Sequence, residues 1–207
     1  MFRRQIAHAA MACAAAVLLP AASHASPAIA APAPDFTGTG IDGKPVALAA
    51  FKGKTVVLEW TNHDCPYVRK HYESGNIPRL QKEATGQGVV WLQVISSAPG
   101  RQGNVDAATA RQLYVSRGAV PTTTVLDPEG RIGRLYGAQT TPHLFIVDAN
   151  GVLQYKGGID SIATSSKDDI AKAQNHVKAA LGELAAGKKV SNASTRPYGC
   201  AVKYADG

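Results

Sequence analysis

The sequence predicts an α/β fold with one mixed sheet and helices on both faces. Three observations carry this reading. Residues 55–60 (Thr-Val-Val-Leu-Glu-Trp) and 89–95 (Val-Val-Trp-Leu-Gln-Val-Ile) are short, nearly continuous apolar runs, as strands covered on both faces read. Helix-forming stretches alternate with these runs, giving the order β-α-β-α-β-β-α, and a late pair of strands is joined by a turn signal. Finally, 45% of the 207 residues are hydrophobic and 18% charged, which excludes a disordered chain.

Residues 1–25 read as a signal peptide. Arg3 and Arg4 open it, an apolar run covers 9–19, and Ser23-His24-Ala25 supplies the small-x-small site, placing cleavage after Ala25. The remainder is then periplasmic or extracellular. Cys13 lies inside the apolar run rather than at its end, so it is no lipoprotein cysteine. No run approaches the ~18 apolar residues of a membrane span. The formal charge is +7, but the basic residues are scattered, which excludes a nucleic-acid stripe.

Residues 26–35 are Ala/Pro-rich and are expected to form an extended, mobile leader. A single domain follows over 36–187. Residues 66–84 carry helix formers interrupted by Ser74-Gly75-Asn76 and Pro78, which predicts a broken helix. Asn104 is placed to cap a helix over 105–117 that Gly118 closes. The runs 143–147 and 152–155 flank Asp148-Ala-Asn-Gly151, a hairpin signal. Ser166 and Asp169 have capping-box spacing ahead of Ile170, Ala173, Val177, Leu181 and Leu184, which follow a helical period up to Gly187. Residues 188–207 form a polar C-terminal extension that carries Cys200.

The chemistry concentrates in Trp60-Thr-Asn-His-Asp-Cys65-Pro-Tyr-Val-Arg-Lys-His71, at the carboxyl end of the first central strand. Cys65 precedes Pro66, which suits the first position of a helix. Its thiol therefore meets the unpaired N–H groups and positive end of that helix. His63 lies two residues upstream and Arg69 one turn downstream, and both favour a thiolate. A thiol of pKa ~8.5 is only about 3% ionised at pH 7; one lowered to ~6.5 is roughly 75% ionised. Cys65 is the predicted nucleophile.

These residues resemble the thioredoxin-fold redoxins, the alkyl hydroperoxide reductase and thiol-specific antioxidant superfamily, in an exported, peroxiredoxin-like branch. The resemblance spans roughly 35–204. It is carried by the motif at 58–72, by Ser-Ser-Ala-Pro-Gly-Arg-Gln-Gly at 96–103, by Thr-Pro-His-Leu-Phe-Ile-Val-Asp at 141–148 and by Thr-Arg-Pro-Tyr-Gly-Cys-Ala-Val-Lys-Tyr at 195–204. It implies a thioredoxin-like three-layer sandwich, and a cis peptide at Thr141-Pro142 that faces the cysteine and presents backbone to a thiol or disulfide substrate. His143 then points either at the site or into the core.

The chain also departs from its relatives. Thioredoxins carry a second cysteine three residues after the first, where this chain has Val68. Peroxiredoxins place Thr or Ser three residues before their cysteine, where Asn62 stands here, and an arginine where this chain has Pro142. Cys200, 135 residues after Cys65, is then the residue that resolves an oxidised Cys65, a partner in a structural bridge, or an unreactive thiol. The sequence thus predicts an exported thiol oxidoreductase acting on a peroxide or a disulfide and recharged by an external thiol, with no bound cofactor. Two alternatives are a thiol-disulfide exchange protein without peroxidase activity and a copper-binding module using Cys65, His63 and His71. The copper-delivery relatives use a Cys-x-x-x-Cys pair that is missing here. Oligomeric state is not encoded in any motif.

Overall fold

The computed structural model describes residues 26–205, so the signal-peptide segment 1–25 lies outside the described residues. A seven-stranded sheet runs through it in the order β2-β1-β5-β4-β3-β7-β8: β1 Thr37–Gly40, β2 Pro45–Ala47, β3 Val56–Trp60, β4 Val90–Ile95, β5 Thr123–Leu126, β7 His143–Val147 and β8 Leu153–Gly157. The three central strands β3, β4 and β5 are parallel, and β1 and β7 join them antiparallel. Strand alternation sorts the core into two layers. Val57, Trp91, Leu144 and Ile146 face α1 (Pro66–Glu73), α2 (Asn76–Gly86) and α5 (His176–Ala185). Leu58, Trp60, Val94 and Phe145 face α4 (Arg131–Tyr136) and the N-terminal segment. This is the expected α/β sandwich.

The helix over 66–84 is broken as predicted. Gly75 adopts φ 71°, a left-handed turn between α1 and α2, and Pro78 falls in the first turn of α2, where no intrahelical N–H is lost. The next helix, α3 (Ala107–Arg117), is capped by Asp106 rather than Asn104: the Asp106 carboxylate accepts from the Thr109 N–H, while Asn104 bonds the Ser97 carbonyl. The last helix also starts later than expected. Ser166 caps only a 3-10 turn over Lys167–Asp169, and Asn175 caps α5. Ile170 and Ala173 therefore precede the helix.

The largest correction concerns the two ends of the described chain. Residues 26–35, expected to be a mobile leader, lie along the outer edge of β8: Ala30 N–H bonds the Leu153 carbonyl (2.8 Å) and Leu153 N–H the Ala31 carbonyl (2.9 Å). The C-terminal extension takes the rest of that edge, where Lys156 N–H bonds the Ala193 carbonyl and Thr195 N–H the Lys156 carbonyl. An open sheet edge offers unpaired backbone groups, and both segments satisfy them. The extension then crosses to the site and forms a second, two-stranded ladder, β6 (Thr140–Thr141) with β9 (Cys200–Ala201).

Candidate active site

The turn after β3 delivers Cys65 to the head of α1. Asn62 builds that turn: its side chain accepts from the Asp64 N–H (3.0 Å) and donates to the Gln102 carbonyl, and its own carbonyl accepts from the Cys65 N–H. Cys65 is the N-cap residue and Pro66 opens the helix, as the sequence indicated. The thiol is fully buried and donates to the Thr141 carbonyl oxygen at 3.1 Å. Thr141-Pro142 is a cis peptide facing it, in agreement with the resemblance.

Cys200 is brought to the same place. In the β6–β9 ladder it stands opposite Thr141, the residue whose carbonyl meets Cys65. Gly199 makes this approach possible: it has φ 136°, and a Cβ there would overlap the Thr141 carbonyl oxygen. Both cysteines are free thiols, and each acts on the acidity of the other. Burial pushes the Cys65 thiol up. The neighbouring Cys200 thiol and Val68 backbone, with smaller help from the Cys200 backbone and Thr141, outweigh burial and bring it below its ordinary value. Cys200 is the mirror case. Desolvation and the neighbouring Cys65 sulfur push it up to about 12. Cys65 is therefore the more acidic of the two.

The other expected supports are elsewhere. Arg69 pairs with Glu73 on the exposed side of α1 (3.0 Å), and His63 sits 3.4 Å from Asp64. Each is thus paired with a carboxylate, whereas the Cys65 thiol bonds the Thr141 carbonyl. An i,i+4 acid captures Arg69 because that pairing is local and the thiol lies on the covered face of the helix. His143 points away from Cys65: it stacks on Phe145 (4.5 Å) in the opposite layer, and burial lowers its pKa to about 3. The copper alternative finds no ligand set, since no group of three or more His, Cys, Asp or Glu residues able to hold a metal occurs among the described residues. His71 in particular has both ring nitrogens engaged.

His71 belongs to a buried cluster that ties the C-terminal extension to α1. The Tyr198 hydroxyl donates to Asp160 Oδ1 (2.5 Å) and so must accept from His71 Nε2 (3.1 Å). That fixes the proton of neutral His71 on Nε2 and leaves Nδ1 to accept from Asn76 (2.8 Å). Burial lowers the His71 pKa to about 4, although nearby Asp160 opposes the shift. Lys70, fully buried, places its ammonium 3.6 Å from Asp160 and donates to the Ile162 carbonyl. Tyr198 is thereby fixed two residues before Cys200. A second buried cluster surrounds Glu59 on β3, which accepts from Tyr72 (2.6 Å), Trp91 (2.7 Å) and Gln81 (3.1 Å); burial raises its pKa. A charged residue inside the apolar run at 55–60 was its sequence signal. Nothing in the sequence marked Asp160.

A thioredoxin-fold body with one thiol at a helix N-terminus and a second brought to the same Thr141 defines a thiol oxidoreductase. The chain belongs to the AhpC/TSA family, which matches residues 29–156; Cys65 and Pro142 fall inside the match and Cys200 beyond it. Similar solved structures include an uncharacterized conserved protein from Geobacillus kaustophilus (21% identity, TM-score 0.72, covering 87% of this chain and 94% of that one). A hypothetical protein from Sinorhizobium meliloti 1021 is comparable (20%, TM-score 0.71, 88% and 98%). A protein assigned as a thiol:disulfide interchange protein, DsbE, from Chlorobium tepidum follows (24%, TM-score 0.55, 76% and 100%). At these identities they bear on the fold alone. No curated protein matches the sequence.

Proposed function

We propose that this protein is an exported two-cysteine thiol oxidoreductase in which the Cys65 thiolate reduces a small oxidant, a hydroperoxide foremost, and Cys200 resolves it. The observation that carries the reading is that Thr141 holds both cysteines: its carbonyl accepts from the Cys65 thiol, and Cys200 pairs with it in the β6–β9 ladder, each a free thiol. In the first step the Cys65 thiolate attacks the distal peroxide oxygen. The O–O bond breaks, the alcohol leaves with a proton, and Cys65 becomes a sulfenic acid. The Cys200 sulfur then attacks Cys65; an S–S bond forms, the S–O bond breaks, and water leaves with the Cys200 proton. Two electrons have passed from the thiols to the peroxide.

A small oxidant is favoured over a protein disulfide because β9 occupies the edge of β6 beside Pro142. A partner chain would have to displace that ladder before pairing there. Export rests on the 1–25 segment of the sequence. No helix among the described residues is long and apolar enough to cross a membrane.

Stopped-flow oxidation of the reduced protein by hydrogen peroxide, run beside its reaction with a small disulfide, separates the readings. The proposal expects Cys65-dependent peroxide consumption above that of a free thiol. Exchange with the disulfide but not with peroxide would replace it with the thiol-disulfide exchange alternative.

A further inference from the structure

Residues 96–103, Ser-Ser-Ala-Pro-Gly-Arg-Gln-Gly, contribute no reactive group, yet they lie against the turn that presents Cys65. Asn62 is where the two meet. It is buried just past β3, and its carboxamide is held at both ends: Oδ1 accepts from the Asp64 N–H (3.0 Å) and Nδ2 donates to the Gln102 carbonyl (3.3 Å). Its backbone carbonyl accepts from the Cys65 N–H (3.1 Å). One residue thus takes up both N–H groups at the cysteine end of the turn.

The loop is itself held in place. Asn104 bonds the Ser97 carbonyl (2.8 Å) across its base, and the Ala98 N–H bonds the Lys203 carbonyl (2.8 Å) of the C-terminal extension. Gly103 is buried with φ 85°, and a Cβ there would overlap the Asn62 carboxamide. Glycine serves twice here, for the left-handed backbone and for the close approach. The carboxamide is boxed in between Gly103 and the Asp64 peptide.

Resting on Cys65 as the nucleophile, we propose that Asn62 is a positioning residue for its sulfur, locked in that role by the 96–104 loop. Asn62 acts through the turn, since the thiol itself bonds the Thr141 carbonyl. The support that a helix N-terminus gives an anion fades within the first turn, so it depends on where the chain sets the sulfur. Without the carboxamide the Asp64 N–H loses its acceptor and residues 62–65 gain freedom. Cys65 then leaves the position in which the Val68 backbone favours its thiolate. A serine at this position keeps a weaker side-chain acceptor for the N–H two residues on, and has no amide to reach Gln102.

The test alkylates the full mature chain, reduced, with iodoacetamide across a range of pH, and follows Cys65 apart from Cys200 by peptide mapping. The midpoint is the readout, because a change of exposure scales the rate at every pH and leaves the midpoint in place. Asn62→Ala is expected to raise the midpoint by about one pH unit, an about tenfold loss of thiolate well below it. Asn62→Ser should fall between Asn62→Ala and the unmodified protein. Gly103→Ala should raise the midpoint by driving the carboxamide out, yet add nothing to Asn62→Ala, where no carboxamide is left to strike. Unchanged midpoints in Asn62→Ala and Asn62→Ser overturn the positioning role and leave Asn62 a structural residue. No shift in Gly103→Ala, or one that adds to that of Asn62→Ala, overturns the hold of the loop. If Gly103→Ala does not fold, recovery of the fold by Asn62→Ala supports the same contact, and failure to recover it counts against the loop. No oxidant is used, so absence of peroxide reactivity in the unmodified protein leaves the inference standing. A midpoint there at or above ~8.5 defeats the Cys65 reading, and this inference with it.

Discussion

The seat of Cys65 and the seat of Cys200 are built by different means. Cys65 is placed by local chain geometry: a buried strand, an Asn62 turn and Pro66 at the first helical position. Cys200 is placed by long-range ties, namely the β6–β9 ladder, the Tyr198–Asp160–His71 chain and the carbonyl of Ala205 on Arg134. In the proposed reaction the first seat supplies reactivity and the second supplies cover. Separating them allows a low-pKa thiol to be enclosed until its partner moves, so changes to the second seat should act on Cys65 from a distance.

The sharpest way to break this division is Gly199→Ala. A side chain there collides with the Thr141 carbonyl and demands a strained φ, so β9 should lift while the sheet remains folded. Iodoacetamide should then modify Cys65 at least about tenfold faster at pH 7, since a buried thiol becomes an exposed one. An unchanged rate would mean that β9 does not cover the thiol.

Acid should loosen the second seat. Unfolded histidines titrate near ~6.5, whereas His71 and His143 are held at about 4 and about 3. Their folded values are depressed, so the unfolded chain binds more protons in between. Stability is fully present above pH ~6.5 and falls as the pH drops toward 4, by up to about 1.4 kcal/mol per unit for each histidine. Urea titrations across that range check the slope, and His71→Gln should reduce it by about half.

Tyr198→Phe should have a smaller effect. It leaves Asp160 Oδ1 and His71 Nε2 without their shared partner, which costs about 1–3 kcal/mol. Closure of the Cys65–Cys200 bridge should slow while Cys65 acidity changes little. Arg69→Ala, on the exposed side of α1, should change stability by less than ~0.5 kcal/mol. It should also leave the pH midpoint of Cys65 alkylation in place, below the ~8.5 of a free thiol. An upward shift of that midpoint would restore Arg69 as a thiolate support.

The same difference explains what could be read from the sequence. The seat of Cys65 was legible because strand pattern, Pro66 and helix capping act over a few residues. The covered edges were not. Residues 26–35 and 188–205 show no helix or strand periodicity, and they are held by backbone bonds to β8 and β6 that composition does not encode. Ser166 misled for a related reason: its capping spacing is genuine but closes only one 3-10 turn before Asn175 takes over. Arg69 was assigned by its distance along the helix, yet the face it occupies belongs to Glu73.

The central claim is that Cys65 and Cys200 form one redox couple. It is tested most directly by adding one equivalent of hydrogen peroxide to the reduced chain and mapping peptides without reductant. The account predicts an intramolecular Cys65–Cys200 bridge that ordinary thiols reverse, sulfenic acid or over-oxidised Cys65 in Cys200→Ser, and no reaction in Cys65→Ser. A stable Cys65 sulfenic acid in the unmodified protein, with Cys200 left as a free thiol, would contradict it.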